Sequence, residues 1–499
     1  MAKSTKTLAS KTKYISQHQL KFEGFETPFE QHLDPTNRWI VLAKQLPWDE
    51  LISIYQDQLR NRDMGSPGLN PRLCIGTIII KHMCSLSDRE TVEQISENMY
   101  MQYFLGFTSF TNKKPMDASV LVDIRNRMGI EQIEKINQMI FQLGEKEKDK
   151  NDSNPDAPKK DQPAVENEGQ LIVDATACPQ DISYPTDVKL LHESREKADE
   201  IIDVLYAQSS TKKRPRTYRE KAQVEYVSIA KRRNNSGKQI RNGIRKQLNY
   251  LKRNIQYINK LIDQVGLKTM DQKQYKYWLV IQQVYAQQQD MYEQKKHHVE
   301  HRIVSIHQPH VRPIVRGKLN AKVEFGSKIN VSLVNGFAFL DDLEWEAYNE
   351  GGRLSHSIEK YKKRFGFYPK EVLVDRIYCS RDNRTLLKQK GILLKAKPLG
   401  RPSAVQIHVS PGERNPIEGF FGVAKVAYGM QRIKARLQST SESWIASIIM
   451  VVNLVKLAGM TSYSLCSTLP VRITKTFHES LAMLFLYFSD LPKFYSIKT

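Results

Sequence analysis

Three carboxylates stand where the backbone could present them to a shared site. Asp174 closes the apolar run of LIVDATACP (171–179), and Asp375 closes that of EVLVD (371–375). Glu418 opens a helical stretch after the turn-rich PGERNPIEG. Acids at strand ends and near helix starts can converge at one edge of a mixed sheet. Gathered and partly buried, they repel one another unless cations neutralise them. Hard oxygen donors select Mg²⁺, with Mn²⁺ as a substitute, over zinc. A pair of such ions roughly 3.5–4 Å apart is the device for in-line displacement at a phosphodiester.

The elements that must hold these acids follow from periodicity. LIVDATACP, RIVSIHQP (302–309), AKVEFGSKINVSLVNGFAFL (321–340) and EVLVD have the β-branched character of strands, and Asn335-Gly336 is a two-residue hairpin signal. Helical patterning covers the first 144 residues, where Ser87 and Glu90 form a capping-box pair. Further helices are expected over 355–365, 381–390, 418–430 and 441–457. Residues 145–169 are polar and Pro-containing and read as a linker. Between 193 and 301 the chain is polar and helical. Ile244, Leu248, Leu251, Ile255, Ile258 and Ile262 repeat there at heptad spacing, which predicts an antiparallel hairpin with a second helix over 271–300. The expected division is a helical N-terminal region (1–144), the linker, a core opened by 170–192, interrupted by 193–301 and resumed over 302–460, and a helical tail (461–499). Strands split by a large helical segment describe an α/β fold with an insertion.

The chain of 499 residues carries a net charge of +22, with pI near 9.5, which favours a polyanionic partner. Residues 211–260 alone hold 16 Lys and Arg against two acids. Lys231, Arg232, Arg233, Arg241, Arg245, Lys246, Lys252 and Arg253 in that segment are expected to track DNA phosphates. Arg312, Arg316 and Lys318 of HVRPIVRGK could grip the backbone near a cut, or equally guard a sheet edge. Five dispersed cysteines form no CxxC pair, and the apolar run 444–460 is interrupted by Asn453 and Lys456. No membrane association and a cytoplasmic location are therefore expected. HHVEH (297–301) matches a zinc-peptidase string but reads as a polar helix end, and Cys178 reads as a packed thiol.

LIVDATACP, VLVDR and the spacing Arg414-x3-Glu418-x6-Lys425 together resemble the DDE transposases of bacterial insertion sequences, in particular insertion-sequence groups four and five. The resemblance implies an RNase H-like mixed-sheet core interrupted by the basic helical insertion and preceded by an all-α DNA-binding region. It assigns Asp174, Asp375 and Glu418 as Mg²⁺ ligands and catalytic acids, and Arg414 and Lys425 as phosphate contacts. The implied partners are double-stranded DNA, both terminal inverted repeats and target, and a second copy of the chain in a dimer or higher assembly. The implied reaction is hydrolysis at the element ends followed by joining of the 3′-hydroxyls to target DNA. An inactive DNA-binding relic, or a nuclease that does not join, is the alternative. Two positions depart from the family pattern: Pro411 replaces a common Tyr, and Ile377 a common Gly. Glu413 rivals Glu418, and Asp181 and Asp187 rival Asp174. Position at the end of the apolar run and the Arg/Lys spacing favour the first set.

Overall fold

The computed structural model describes residues 33–57, 68–152, 167–315, 323–396 and 412–458, with the side chains of 147–152 left aside. The expected C-terminal tail, most of the linker, Arg316, Lys318 and Pro411 lie outside the described residues. Fourteen α-helices and a six-stranded mixed sheet are present among the described residues, so the chain is α/β.

The N-terminal region consists of α1 (Arg38–Gln45), α2 (Trp48–Gln56), α3 (Pro71–Met83), α4 (Asp88–Glu97), α5 (Met99–Phe104) and α6 (Val120–Asp152). The Ser87/Glu90 capping box forms in both directions and starts α4. α6 breaks at Gly129, whose φ of 52° leaves the helical region, and it then runs on to Asp152. The start of the expected linker is therefore helical; its Lys- and Glu-rich composition is compatible with a solvated helix.

β1 (Gln170–Pro179) is central to the sheet. It pairs antiparallel with β3 (Val323–Val334) on one side and parallel with β5 (Glu371–Leu373) on the other. β3 also pairs antiparallel with β2 (Arg312–Val315) and with β4 (Phe337–Glu344), and β6 (Leu393–Lys395) extends the sheet in parallel beyond β5. β3 and β4 are joined by Asn335-Gly336, both at positive φ as a type I′ turn requires. RIVSIHQP is not a strand. Ile303 and Ile306 are buried against Leu190, Val280 and Val284 of the neighbouring helices, so the apolar pattern reflects packing rather than pairing.

Between β1 and β2 lie α7 (Asp187–Ala207), α8 (Arg219–Ala230), α9 (Gly237–Val265) and α10 (Gln272–Gln294). The expected two-helix hairpin is corrected by α7, which begins at Asp187 rather than 193 and supplies a third wall. Leu191, Ala198, Ile202 and Leu205 of α7 share a core with Leu248, Leu251 and Ile258 of α9 and Ile281 of α10. The heptad stripe is thus satisfied mainly by a helix that precedes it in the chain.

After β4 come α11 (Leu354–Phe365), α12 (Arg381–Gln389), α13 (Asn415–Val426) and α14 (Gln438–Leu457). α14 is long and apolar enough to cross a membrane, but 78% of its most apolar window is buried, against α6, α3 and β4. Asn453 explains why: its side chain accepts from Ala338 N at 2.9 Å and donates to Ala338 O at 2.7 Å and Asn137 Oδ1 at 3.2 Å. A buried amide with three protein partners marks a core helix.

Candidate active site

β1 outruns its parallel neighbour, and that mismatch creates the site. Ile172 pairs with Leu373, where β5 stops, while β1 continues to Pro179. Asp174 and Asp375 each lie two residues beyond this pair, so strand alternation starts them from the same face at the carboxyl edge of β5. Asp174 therefore does not end its strand, as the apolar run suggested. It sits mid-strand opposite Val331, and the element that ends beside it is β5. Asp375 caps the turn Arg376–Tyr378, its carboxylate accepting from Arg376 N at 2.7 Å, and that of Asp174 accepts from Ala175 N at 2.8 Å.

α13 supplies the opposite wall. Pro416 in its first turn suits helix initiation, and buried Ile417 and Ala424 seat the helix. Arg414, Glu418, Phe421, Gly422 and Lys425 line one cavity of about 790 Å³ together with Asp174, Thr176 and Asp375. Spacings of four, three and four or seven residues keep these groups on one helix face. The Arg414 guanidinium bridges the two aspartates, with Nη2 3.1 Å from Asp174 Oδ2 and Nη1 3.3 Å from Asp375 Oδ1. Lys425 Nζ donates to Thr176 Oγ1 at 2.7 Å, tying α13 to β1. Glu418 is exposed within the cavity.

Burial pushes the Asp174 carboxyl above the ordinary carboxylate value; its backbone hydrogen bond and Arg414 oppose the shift, and Glu350 and Asp375 add to it. Glu350 lines the cavity and pairs with Lys328 Nζ at 2.9 Å, and Lys328 lines it too. Neither residue stood out in the sequence, because they lie far in the chain from the acids and carry no motif. The rivals stand elsewhere. Asp181 pairs with Arg432, Asp187 with Arg302, and Glu413 approaches Lys395, and none of the three lines the cavity.

Two hard carboxylates already sharing one cation have the donor chemistry for a divalent metal. Among the described residues, however, no three His, Cys, Asp or Glu side chains are drawn together closely enough to hold one. The aspartate pair fits the ion, whereas Glu418 does not close the set in this conformation.

The remaining expected cations divide into engaged and exposed groups. Arg312 is bound to Glu346 at 2.6 Å and lies outside the cavity lining, which β2 supplies instead through Ile314 and Val315. Arg241 stacks on Tyr292 and donates to its carbonyl, Lys246 pairs with Glu225, and Arg253 lies over Tyr218. Lys231, Arg232, Arg233, Arg245 and Lys252 face solvent. HHVEH lies beyond the end of α10 rather than on a helix, and His301 is bound to Glu346 at 2.9 Å, so no i,i+4 histidine pair exists for zinc. Cys178 is fully buried.

Residues 27–127 match the family model "Transposase domain (DUF772)", and residues 372–455 match "Transposase DDE domain". The second match spans Asp375, Arg414, Glu418 and Lys425. The chain is 29% identical over 173 residues to "Uncharacterized protein ORF8 in nfe locus" of Rhizobium meliloti, covering 34% of this chain and 75% of that protein. No solved structure matches. The chain thus carries a transposase domain and, further along, a transposase DDE domain that contains one wall of the acidic cavity, and the two together support a DDE transposase, an enzyme that cleaves and transfers DNA strands.

Proposed function

We propose that the cavity between β1, β5 and α13 is where this transposase cuts and joins DNA, with Asp174, Asp375 and Glu418 as its acids. The observation that carries the reading is Arg414 bridging both aspartates in a cavity shared with Glu418 and Lys425. The sheet order β4 and β2 beside β3, then β1, β5 and β6, with the last two parallel to β1, supports an RNase H-like core. The helices α7–α10 are then an insertion in that core, and the affinity is to insertion-sequence groups four and five.

Asp174 and Asp375 would hold Mg²⁺, and Glu418 would join them as DNA draws α13 inward. The chemistry the ion supplies is activation of the attacking oxygen and neutralisation of the leaving one. Lys425, and Arg414 once released from the aspartates, would hold the diester's non-bridging oxygens. In the first reaction water attacks phosphorus and the P–O3′ bond breaks, leaving a 3′-hydroxyl. That hydroxyl then attacks a target phosphodiester, exchanging one P–O bond for another with no covalent protein intermediate. The N-terminal helices and the exposed cations of the insertion would hold the terminal inverted repeats. A second copy of the chain would hold the partner end.

The test uses labelled duplex carrying the terminal repeats, in Mg²⁺ or Mn²⁺ against EDTA, with wild type and Asp375→Asn. Metal-dependent nicking at the repeat, lost in the variant while DNA binding persists, is expected. Joined products identify strand transfer. Tight binding with no cutting by wild type would overturn the reading in favour of an inactive relic.

A further inference from the structure

A second hollow, of about 530 Å³, opens where the inserted helices meet the core. Its walls come from α7, the start of α10, the connections 181–185 and 304–308, and Arg436 and Leu437 just before α14. Four cationic side chains, Lys189, Lys273, Lys276 and Arg436, line it against two carboxylates, Asp181 and Glu193. Both acids are already answered: Arg432, outside the lining, holds Asp181 at 2.9 Å, and Lys189 lies 3.8 Å from Glu193. Lys273, Lys276 and Arg436 are exposed and have no ion-pair or hydrogen-bond partner among the described residues. Burial, with Lys197, Arg436 and Lys273 from three separate elements, holds the His307 imidazole in the same wall below its ordinary value, against Glu200. Like charge is thus gathered on a concave surface with no acid left to offset it. Gln308 points to a ligand independently. It is 5% exposed and lines the hollow, yet its carboxamide has no hydrogen-bond partner among the described residues. A buried amide left without partners costs free energy that a bound hydrogen-bonding group recovers.

We propose that this hollow at the junction of insertion and core is a phosphate-binding cleft for duplex DNA, in which Lys273, Lys276 and Arg436 hold the backbone within about seven base pairs of the scissile bond. The cleft stands on its own residues, whereas its spacing from the bond rests on the reading of the acidic cavity as the cleavage site. The two hollows share walls through a third: Val315, 75% exposed, lines the acidic cavity and an intermediate one, which shares Pro185, Leu190 and Val304 with the cleft. β1 and its extension, which pairs with Ile433, carry the chain from Asp174 in one to Asp181 in the other, at most about 23 Å of extended backbone. That is the axial length of about seven base-pair steps. Gln308 donates to a phosphate oxygen beside the cations. Because those cations come from α10 and from the segment before α14, bound DNA also ties the insertion to the core.

The experiment measures binding of the full-length protein to a fluorescent duplex of arbitrary sequence, in EDTA and across a salt series. It compares wild type, the triple variant Lys273→Ala/Lys276→Ala/Arg436→Ala, and Gln308→Leu. The triple variant is expected to lower the slope of log K against log[salt] by about 2–3, at about 0.9 per phosphate contact, with melting temperature unchanged. Gln308→Leu is expected to weaken binding several-fold with the slope kept and the melting temperature no lower, because it removes a buried group that has no partner in the free protein. A fall in slope smaller than about 0.9, the share of one phosphate, would overturn the cleft. Unchanged affinity in Gln308→Leu would remove that residue from it. The spacing is read separately, from Mg²⁺-dependent nicking of terminal-repeat duplexes trimmed stepwise on each side of the nick. The difference between wild type and triple variant is expected to vanish once fewer than about seven base pairs remain on one side. A difference that survives trimming on both sides overturns the spacing alone. No nicking by wild type sinks the cleavage-site reading and the spacing with it, and the salt slope still decides the cleft.

Discussion

Asp88→Asn is expected to loosen the N-terminal helices from the DDE domain. Asp88 opens α4 and accepts from Arg125 Nη1 at 2.9 Å and Nη2 at 2.8 Å, and from Lys81 Nζ at 2.8 Å. The Lys81 side chain is 0% exposed and that of Arg125 3%. Both cations lie over the Trp444 ring of α14, at 4.2 and 5.3 Å, so one carboxylate neutralises charge at the junction of the two family-matched segments. Arg125 and Lys81 hold the Asp88 carboxyl down to about 2 against burial, from an ordinary 3.8, which amounts to on the order of 2 kcal/mol of stability. Because the folded value is depressed, that contribution is complete above pH 3.8 and disappears as pH falls through 3.8 toward 2. Replacement by Asn adds the cost of two buried cations without a counter-charge, typically about 3–5 kcal/mol. Lys81, which burial already holds down to about 8, can shed its proton at neutral pH once Asp88 is gone, so the low end is expected. About 3 kcal/mol corresponds to a fall in Tm of roughly 3 °C for a chain of 499 residues unfolding as one unit, read at pH 7.5 by differential scanning fluorimetry. The variant should also lose the part of the wild-type acid destabilisation between pH 4 and 2 that Asp88 carries. A Tm within about 1 °C of wild type would refute the assignment of Asp88 as the neutralising hub.

Gly351→Ala should separate the Glu350 and Asp375 turns at a packing cost of about 1–3 kcal/mol, lowering DNA cleavage and Mn²⁺ affinity while circular dichroism stays native. Joint replacement of Lys231, Arg232 and Arg233 by Ala should reduce the salt dependence of duplex binding, lowering the slope of log K against log[salt] by up to about 3 if each contacts one phosphate, with Tm unchanged. Arg241→Ala should do the reverse, lowering Tm with little change in salt slope, because its guanidinium is engaged with Tyr292. Asn453→Leu should cost about 2–4 kcal/mol by orphaning the Ala338 amide and carbonyl, measured as a lower urea midpoint.

Local signals in the sequence were the dependable ones. Ser87 with Glu90, Asn335 with Gly336, and the seven-residue spacing of Glu418 and Lys425 are each settled within two helical turns or one hairpin, and the backbone follows them. Apolar runs signalled burial without naming the partner. Ile303 and Ile306 therefore read as a strand although helices cover them, and the α9 stripe read as half of a hairpin although α7 fills it. β5 and β6 span three residues each, too short for alternation to declare itself, so the end of β5, which exposes Asp174, had no local mark. Glu350 was invisible for a related reason. Its place in the cavity lining comes from the Gly351–Ile377 contact and from the hydrogen bonds that Asn383 donates to Gly351 O and Tyr378 O, and no spacing within one segment encodes that.

The pairing of Gln170 with Glu371 joins strands that are neighbours in space but two hundred residues apart in the chain. The helices between them have a hydrophobic core of their own, drawn from residues 191–281. During synthesis that basic bundle can therefore collapse while β5, β6 and α13 are still inside the ribosome. About 130 residues separate the end of α10 from the end of α13, roughly 7–26 s at ordinary elongation rates. For that interval a nascent chain carries the exposed cations of the insertion, while the wall that α13 contributes to the acidic cavity has yet to form.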